Sequence, residues 1–179
     1  MKEIRLHGRG GQGVVKSAQT IVQTVVDSGS YAHFIPFFGV ERKGSPVYGF
    51  LRIDDKEIRL KCQVYDPEVL IILDDTLLGM KQTFLGLQEG STVIINTSKP
   101  LAEMHLPPQA KFIYTIDATR IALEKLGKNI PNTAMLGAFA KATGLVDWPA
   151  LQAHIAVNFG EDNRLASAAG YDLVQHFER

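Results

Sequence analysis

Six consecutive residues, Gly8, Arg9, Gly10, Gly11, Gln12 and Gly13, have the spacing G-x-G-x-x-G. They stand between a segment that reads as strand and one that reads as helix, the context in which such a loop holds an anion. Glycines let the backbone turn sharply and let a ligand approach with no Cβ in the way. The helix start then offers N–H groups without intrahelical partners, at the positive end of its dipole. A diphosphate or a similar anion is the expected guest. A nicotinamide site also wants an acidic residue ending the second strand, roughly 20 residues further on. Tyr31, Ala32, His33, Phe34, Ile35 and Pro36 supply none. A P-loop is excluded, since no Gly-Lys-Ser/Thr follows. The competing reading is a tight turn that serves only helix–strand packing, although Gly11 adds a glycine beyond what packing needs.

A second group of chemically capable residues is Glu41, Arg42 and Lys43, between Phe37-Phe38-Gly39 and Gly44-Ser45-Pro46. Arg42 and Lys43 can reach phosphate, and arginine suits a bidentate contact. A solvated loop shaped by a Glu41–Arg42 pair fits the composition as well. His7 adjoins the glycine loop and reads as a strand-end histidine satisfied by backbone. The five histidines (His7, His33, His105, His154, His176) lack ligand spacing, so no metal site is expected. Asp74, Asp75, Asn96 and Thr97 end apolar runs, where ligands gather in parallel sheets. Asp75 serves equally as a helix cap. Cys62 is the only cysteine and reads as a small apolar filler near a strand. One thiol makes no internal disulfide and holds no iron–sulfur cluster, so any electron carrier sits on another chain.

The elements that would position these groups follow from periodicity. Residues 2–7 read as a strand running into Gly8. Val14, Val15, Ala18, Ile21, Val22, Val25 and Val26 mark one face of a helix, with Lys16, Gln19, Gln23 and Asp27 on the wet side and Gly29 as the stop. Residues 31–35 form a second strand. Residues 47–53 and 57–60 read as a hairpin joined by Asp54, Asp55 and Lys56. The apolar runs 69–73, 92–95 and 112–116 suit strands buried on both faces. Asp117 caps a helix over 118–126 that ends at Gly127. Asn132 caps 133–143, closed by Gly144, and Asp147 caps 148–159. A last helix covers 162–177. The helix over 133–143 is rich in Ala and Gly, which lets another backbone approach closely, from a partner or from a tight core. Trp148 reads as a helix-start anchor. The expected fold is α/β: a Rossmann-like, mostly parallel sheet with helices on both faces and an added β-hairpin, in one domain over residues 1–179.

Bulk composition sets the outer limits. The chain has 179 residues, 19 basic and 19 acidic, and no net charge, which argues against a nucleic-acid partner. No apolar run is long enough for a membrane span and no apolar signal region opens the chain, so the expected compartment is the cytoplasm.

The run Gly8 to Val15, then Pro36-Phe37-Phe38-Gly39-Val40-Glu41-Arg42-Lys43-Gly44-Ser45-Pro46-Val47 and Phe50-Leu51-Arg52-Ile53, closely resembles the gamma subunit of 2-oxoacid:ferredoxin oxidoreductases. Tyr65-Asp66-Pro67-Glu68-Val69 through Leu73-Asp74, and Pro131-Asn132-Thr133-Ala134-Met135-Leu136-Gly137-Ala138, continue the likeness over nearly the whole chain. Lys43 and Ser45 stand where Arg and Gly or Ala are common, swaps that keep charge and small size. The resemblance implies a subunit of a pyruvate- or 2-ketoisovalerate-type enzyme that oxidatively decarboxylates a 2-oxoacid to an acyl-CoA and reduces ferredoxin, a chemistry of anaerobic metabolism. Thiamine diphosphate would sit on alpha and beta subunits and the iron–sulfur clusters on a delta-type subunit. This chain would lie beside the thiamine site and contact CoA, with no catalytic residue of its own and no activity alone. Isolated, it is expected to self-associate. The cofactor contacts so implied are Gly8, Arg9, Gly10, Gly11, Gln12, Gly13, Gly39, Glu41 and Arg42. Two other readings stay open at this level, a free-standing dinucleotide-binding dehydrogenase and a purely structural scaffold subunit.

Overall fold

The computed structural model describes residues 1–37 and 44–179. The expected Gly39, Glu41 and Arg42 contacts lie outside the described residues. The chain forms β1 (Lys2–Arg9), α1 (Val14–Asp27), β2 (Tyr31–Phe37), β3 (Pro46–Asp54), β4 (Val69–Ile72), β5 (Ser91–Asn96), β6 (Ala110–Ile116), α2 (Ala118–Leu126), α3 (Asn132–Thr143), α4 (Trp148–Phe159), α5 (Glu161–Leu173) and β7 (Gln175–Glu178). One mixed sheet has the order β2-β3-β1-β4-β5-β6-β7. The central strands β1, β4, β5 and β6 run parallel, and β3 and β7 run against their neighbours.

The fold is the α/β sheet that the alternation of elements predicts, but two strand assignments are corrected. The segment 57–60 is not a strand. β3 is already paired along both edges, with β1 on one side and β2 on the other, so no free edge remains for a return strand. The hairpin is β2–β3, with Phe37 opposite Tyr48. The last helix ends at Leu173, and the chain turns into β7 to pair with the otherwise open edge of β6. His176 stacks on Tyr114 there, ring centroids 4.5 Å apart.

Helices lie on both faces, but of unequal kind. Side chains of alternate strand positions, Ile4 and Leu6, Leu51 and Ile53, Ile71 and Leu73, pack against the five α-helices. Their neighbours Leu70, Ile72, Val93 and Ile95 pack under single-turn 3-10 helices at Asp75–Gly79 and Leu101–Glu103 with Leu77, Leu87 and Met104. On α1 the expected wet residues Lys16, Gln19, Gln23 and Asp27 are exposed. Thr20 and Thr24 are buried beside the apolar stripe, and each hydroxyl donates to the carbonyl four residues back. Asp117 and Asp147 cap α2 and α4 as expected. Gly127 and Gly144 end their helices at φ +63° and +61°. Asn132 is the first residue of α3 and not its cap, which is Pro131. Trp148 opens α4 and stacks on Tyr171 of α5 at 4.4 Å.

The small residues of α3 serve a tight core. Asn132 to Ala140 are all buried, and α5 crosses α3 with backbones touching. A Cβ on Gly137 would stand 1.9 Å from the Ser167 carbonyl oxygen, and one on Gly170 would stand 2.0 Å from the Ala134 carbonyl oxygen. Neither neighbour is a flexible side-chain end. Gly137→Ala is therefore expected to destabilise the chain by about 3 kcal/mol, the upper range for overpacking. Gly79→Ala, where a Cβ meets nothing within 4 Å, should stay within about 0.5 kcal/mol of wild type. Chemical denaturation of both variants checks the contrast.

Candidate functional site

The glycine loop sits where β1 hands the chain to α1, at the carboxyl end of the central strands. Its glycines have distinct reasons. A Cβ on Gly8 would approach Val14 Cγ2 to 2.5 Å and Leu73 Cβ to 3.3 Å, so Gly8 lets α1 close on the sheet. Gly11 and Gly13 have φ of +98° and +85°, the left-handed region that glycine adopts without strain. Gly13 also lies against Asn132 of α3, whose Nδ2 a Cβ would meet at 2.8 Å. The Gly10 N–H donates to the Ser45 carbonyl at 2.9 Å, and the Gly44 N–H donates to the Gly10 carbonyl at 3.2 Å. The loop is thus joined to the residues just after 38–43. No acidic side chain stands in the first turn of α1, so the positive end of that helix is not offset locally.

Arg9 and Gln12 are turned inward. Gln12 Oε1 accepts from the Arg9 backbone N–H (2.7 Å), and Gln12 Nε2 donates to Asp74 Oδ2 (2.8 Å). The Arg9 guanidinium lies 3.4 Å from the same carboxylate. Burial pushes the Asp74 carboxyl up, but bonds from Thr76 and Gln12 and the Arg9 charge together outweigh it and hold Asp74 below the usual carboxylate range. Asp74, and not Asp75, caps the following turn by accepting from the Thr76 N–H at 3.0 Å. Sequence reasoning passed over Thr76. The Asp-x-Thr spacing after a buried strand was its signal.

Asp75, Asn96 and Thr97 gather in a crevice of about 510 Å³ at the strand ends, with Gln12, Asp74 and Asp117 along its wall. These side chains are bonded largely to the protein itself. Asn96 Nδ2 donates to the Leu73 carbonyl and to Thr119 Oγ1, both at 2.9 Å, while its Oδ1 accepts from the Thr119 N–H. Thr97 donates to Asp75, which also meets Lys99 at 3.0 Å. The arrangement stitches β4, β5 and α2 together. Among the described residues no cluster of His, Cys, Asp and Glu is placed to hold a metal ion.

Behind the loop, on the face away from the α-helices, β1 and β3 carry a buried polar strip. Arg52 is 2% exposed; its Nε donates to Glu3 at 2.7 Å, and its Nη atoms donate to the carbonyls of Cys62 and Gln63. Cys62 is exposed, with Sγ 3.7 Å from Arg52, and so is not the apolar filler its residue type suggested. Its backbone carbonyl is what the fold uses. Arg5 is buried without a carboxylate and donates to the carbonyls of Thr83 and Leu85 at 3.0 and 2.7 Å. Arg5 Nε also donates to His7 Nε2 at 3.0 Å. The partner of His7 is therefore a side chain and not backbone. Burial, with the Arg5 charge second, pushes the imidazole down to about 3. Tyr48 lies beside His7 and stacks on Phe37 at 4.7 Å, forming an aromatic patch at the Phe37 end of β2.

The profile of the pyruvate ferredoxin/flavodoxin oxidoreductase family matches residues 3–173. The pyruvate/ketoisovalerate oxidoreductases common subunit gamma of Pyrococcus abyssi is 46% identical over 184 residues, spanning 99% of this chain and all of that one. Subunit PORC of the Thermotoga maritima pyruvate oxidoreductase superposes with a TM-score of 0.86 at 33% identity, over 99% of this chain and 98% of that one. A 2-oxoglutarate:ferredoxin oxidoreductase from Magnetococcus marinus, solved with 2-oxoglutarate, coenzyme A and succinyl-CoA bound, shares the fold. Its TM-score is 0.73 at 20% identity, with 96% of this chain matched to 30% of that longer one.

The neutral, buried His7 gives a pH signature. An imidazole that titrates near 3 when folded and near 6.5 when unfolded binds its proton more readily in the unfolded chain. Its contribution to stability is intact above pH 6.5 and falls by about 1.4 kcal/mol per unit as pH drops through the window down to 3. His7→Gln keeps an acceptor for Arg5 and removes the titration. Between pH 6.5 and 5, the denaturation midpoint of His7→Gln is expected to fall less steeply than that of wild type. Parallel curves would show that His7 is protonated in the folded chain.

Proposed function

The chain belongs to the pyruvate ferredoxin/flavodoxin oxidoreductase family as a gamma-type chain, and on that premise we propose that it contributes coenzyme A contacts to a multi-subunit 2-oxoacid:ferredoxin oxidoreductase. The observation that carries this reading is the junction of two loops. The glycine loop at the start of α1 is hydrogen-bonded to Gly44 and Ser45, so Arg42 lies two residues along the chain from a point fixed beside that helix end. A helix start with no acid in its own first turn attracts phosphate, and arginine adds a charge-assisted contact. Glu41 and Gly39 belong to the same proposed contact.

In this reading thiamine diphosphate and the clusters belong to alpha, beta and delta-type partners. The single cysteine of this chain cannot hold a cluster. When bound, thiamine diphosphate would supply the decarboxylation and the clusters the electron path to ferredoxin. This chain adds neither and is silent alone. Its glycine loop binds and orients the CoA phosphates beside the thiamine site. We place the complex in the cytoplasm; no described helix is long and apolar enough to cross a membrane.

The dehydrogenase alternative meets a topological objection. A dinucleotide fold sets its second strand directly beside the first and uses an acid at its end. Here β1 is flanked by β3 and β4, and β2 lies at the sheet edge without a carboxylate. The scaffold alternative has a specific observation in its favour, since Gly8, Gly11 and Gly13 each meet a need of the backbone or of packing.

Arg42→Ala in the assembled complex separates the two surviving readings. A charge-assisted bond is worth about 1.5–3 kcal/mol, so the KM for CoA should rise about ten- to a hundredfold. Decarboxylation measured without CoA should change far less. Equal loss of both activities would assign Arg42 to assembly. No loss of either would leave residues 38–43 as a surface loop and favour the scaffold.

A further inference from the structure

The Arg9 side chain links three separate stretches of chain. Its Nε and Nη2 donate to Thr76 Oγ1 at 3.1 and 2.7 Å, and its Nη1 donates to the Gly44 carbonyl at 3.0 Å. The Thr76 hydroxyl in turn donates to Asp74. Asp74 accepts from Gln12, and Gln12 accepts from the Arg9 backbone N–H. The bonds therefore form a closed ring through the glycine loop and the turn after β4, with Nη1 as a spur to the end of β3. Beside that spur, the two bonds joining Gly10 to Gly44 and Ser45 carry the β1–β3 pairing past its last register pair, Arg9 opposite Pro46.

Every nitrogen of this guanidinium is engaged, and the side chain is only 32% exposed. Three of its five N–H groups are committed to Thr76 and Gly44, so swinging the head away toward an anion would break those bonds. Its two acceptors lie in different directions, a demand that a planar fork meets and that the single ammonium of lysine does not. We propose that Arg9 is a positioning residue that pins the Gly44–Ser45 end to the glycine loop. This rests on the loop being a CoA contact only for its effect on CoA use; the clamp itself stands apart from that reading.

Two measurements on the assembled complex test it together. Hydrogen exchange at the Gly10 and Gly44 amides should speed up about tenfold in Arg9→Ala, as expected for loss of a charge-assisted bond. Arg9→Lys should behave like Arg9→Ala in exchange, and both should raise the KM for CoA proportionally more than they lower kcat. If Arg9→Lys restores the KM, charge and not fork geometry is what matters, and the proposal is overturned. Unchanged exchange in Arg9→Ala overturns it whatever the KM. Faster exchange with an unaltered KM supports the clamp and removes the CoA reading instead. If Arg9→Ala does not assemble, Thr76→Val removes the shared hydroxyl while leaving the charge, and the same faster exchange is expected.

Discussion

The turn from β1 into α1 is the constraint on which the remaining structure rests. β1 lies at the middle of the sheet, with β3 and β4 bonded to its two edges. The chain must leave it and start a helix within a few residues, while Leu73 on one side and Asn132 on the other are already in place. Gly8 removes the Cβ that would hold α1 away from the sheet, and Gly13 removes the one that would push α3 off α1. The positive φ values of Gly11 and Gly13 complete the turn. Because α3 is also crossed at backbone distance by α5, the glycine loop sets the spacing of the whole helical layer. A loop fixed by so many independent contacts is a rigid place from which to present N–H groups.

The two faces of the sheet are stabilised by different physics. The α-helical face is an apolar core with buried hydroxyls satisfied by their own helix. The opposite face of β1 and β3 buries Arg5, His7 and Arg52. Buried cations are costly unless fully bonded, and here they are bonded mainly to backbone carbonyls of the irregular segments 61–64 and 82–85. Those segments have little regular structure of their own. The arginines supply what a ladder would otherwise supply, and they hold the coil against the strands.

The elements that alternate or repeat with a clear period were legible in the sequence. α1 shows its apolar stripe, β4 its continuous apolar run, and α2 and α4 their aspartate caps. The two misread strand assignments share one cause, that pairing is decided by which sheet edges remain free. Residues 57–60 have strand-like composition but find both edges of β3 taken. Residues 175–177 looked like the tail of a helix but had the open edge of β6 beside them. The candidate site divides in the same way. The position of the glycine loop could be read directly from its spacing. The inward turn of Arg9 and Gln12 could not, because Asp74 and Thr76 are more than sixty residues away in sequence. The strip of Arg5, His7 and Arg52 was also hidden, since a charged residue on a strand ordinarily reads as solvent-facing.

The electrostatics of the loop bear on the proposed anion contact, because the same place also holds a carboxylate. Asp74 is held ionised at the end of β4, within bonding distance of the loop, and left alone it would oppose a phosphate there. Its charge is instead taken up inside the ring by the Arg9 guanidinium and by bonds from Gln12 and Thr76. Three of the five Arg9 N–H groups are thereby committed to the protein itself, and the carboxylate beside it is partly neutralised. What remains at the surface of the turn is the uncompensated helix start, where fixed N–H dipoles favour negative charge without the mobility of a long side chain. On the proposed reading, selectivity for a charged ligand has to come from residues outside the loop, and the bonds from Gly10 fix Gly44 and Ser45 beside it.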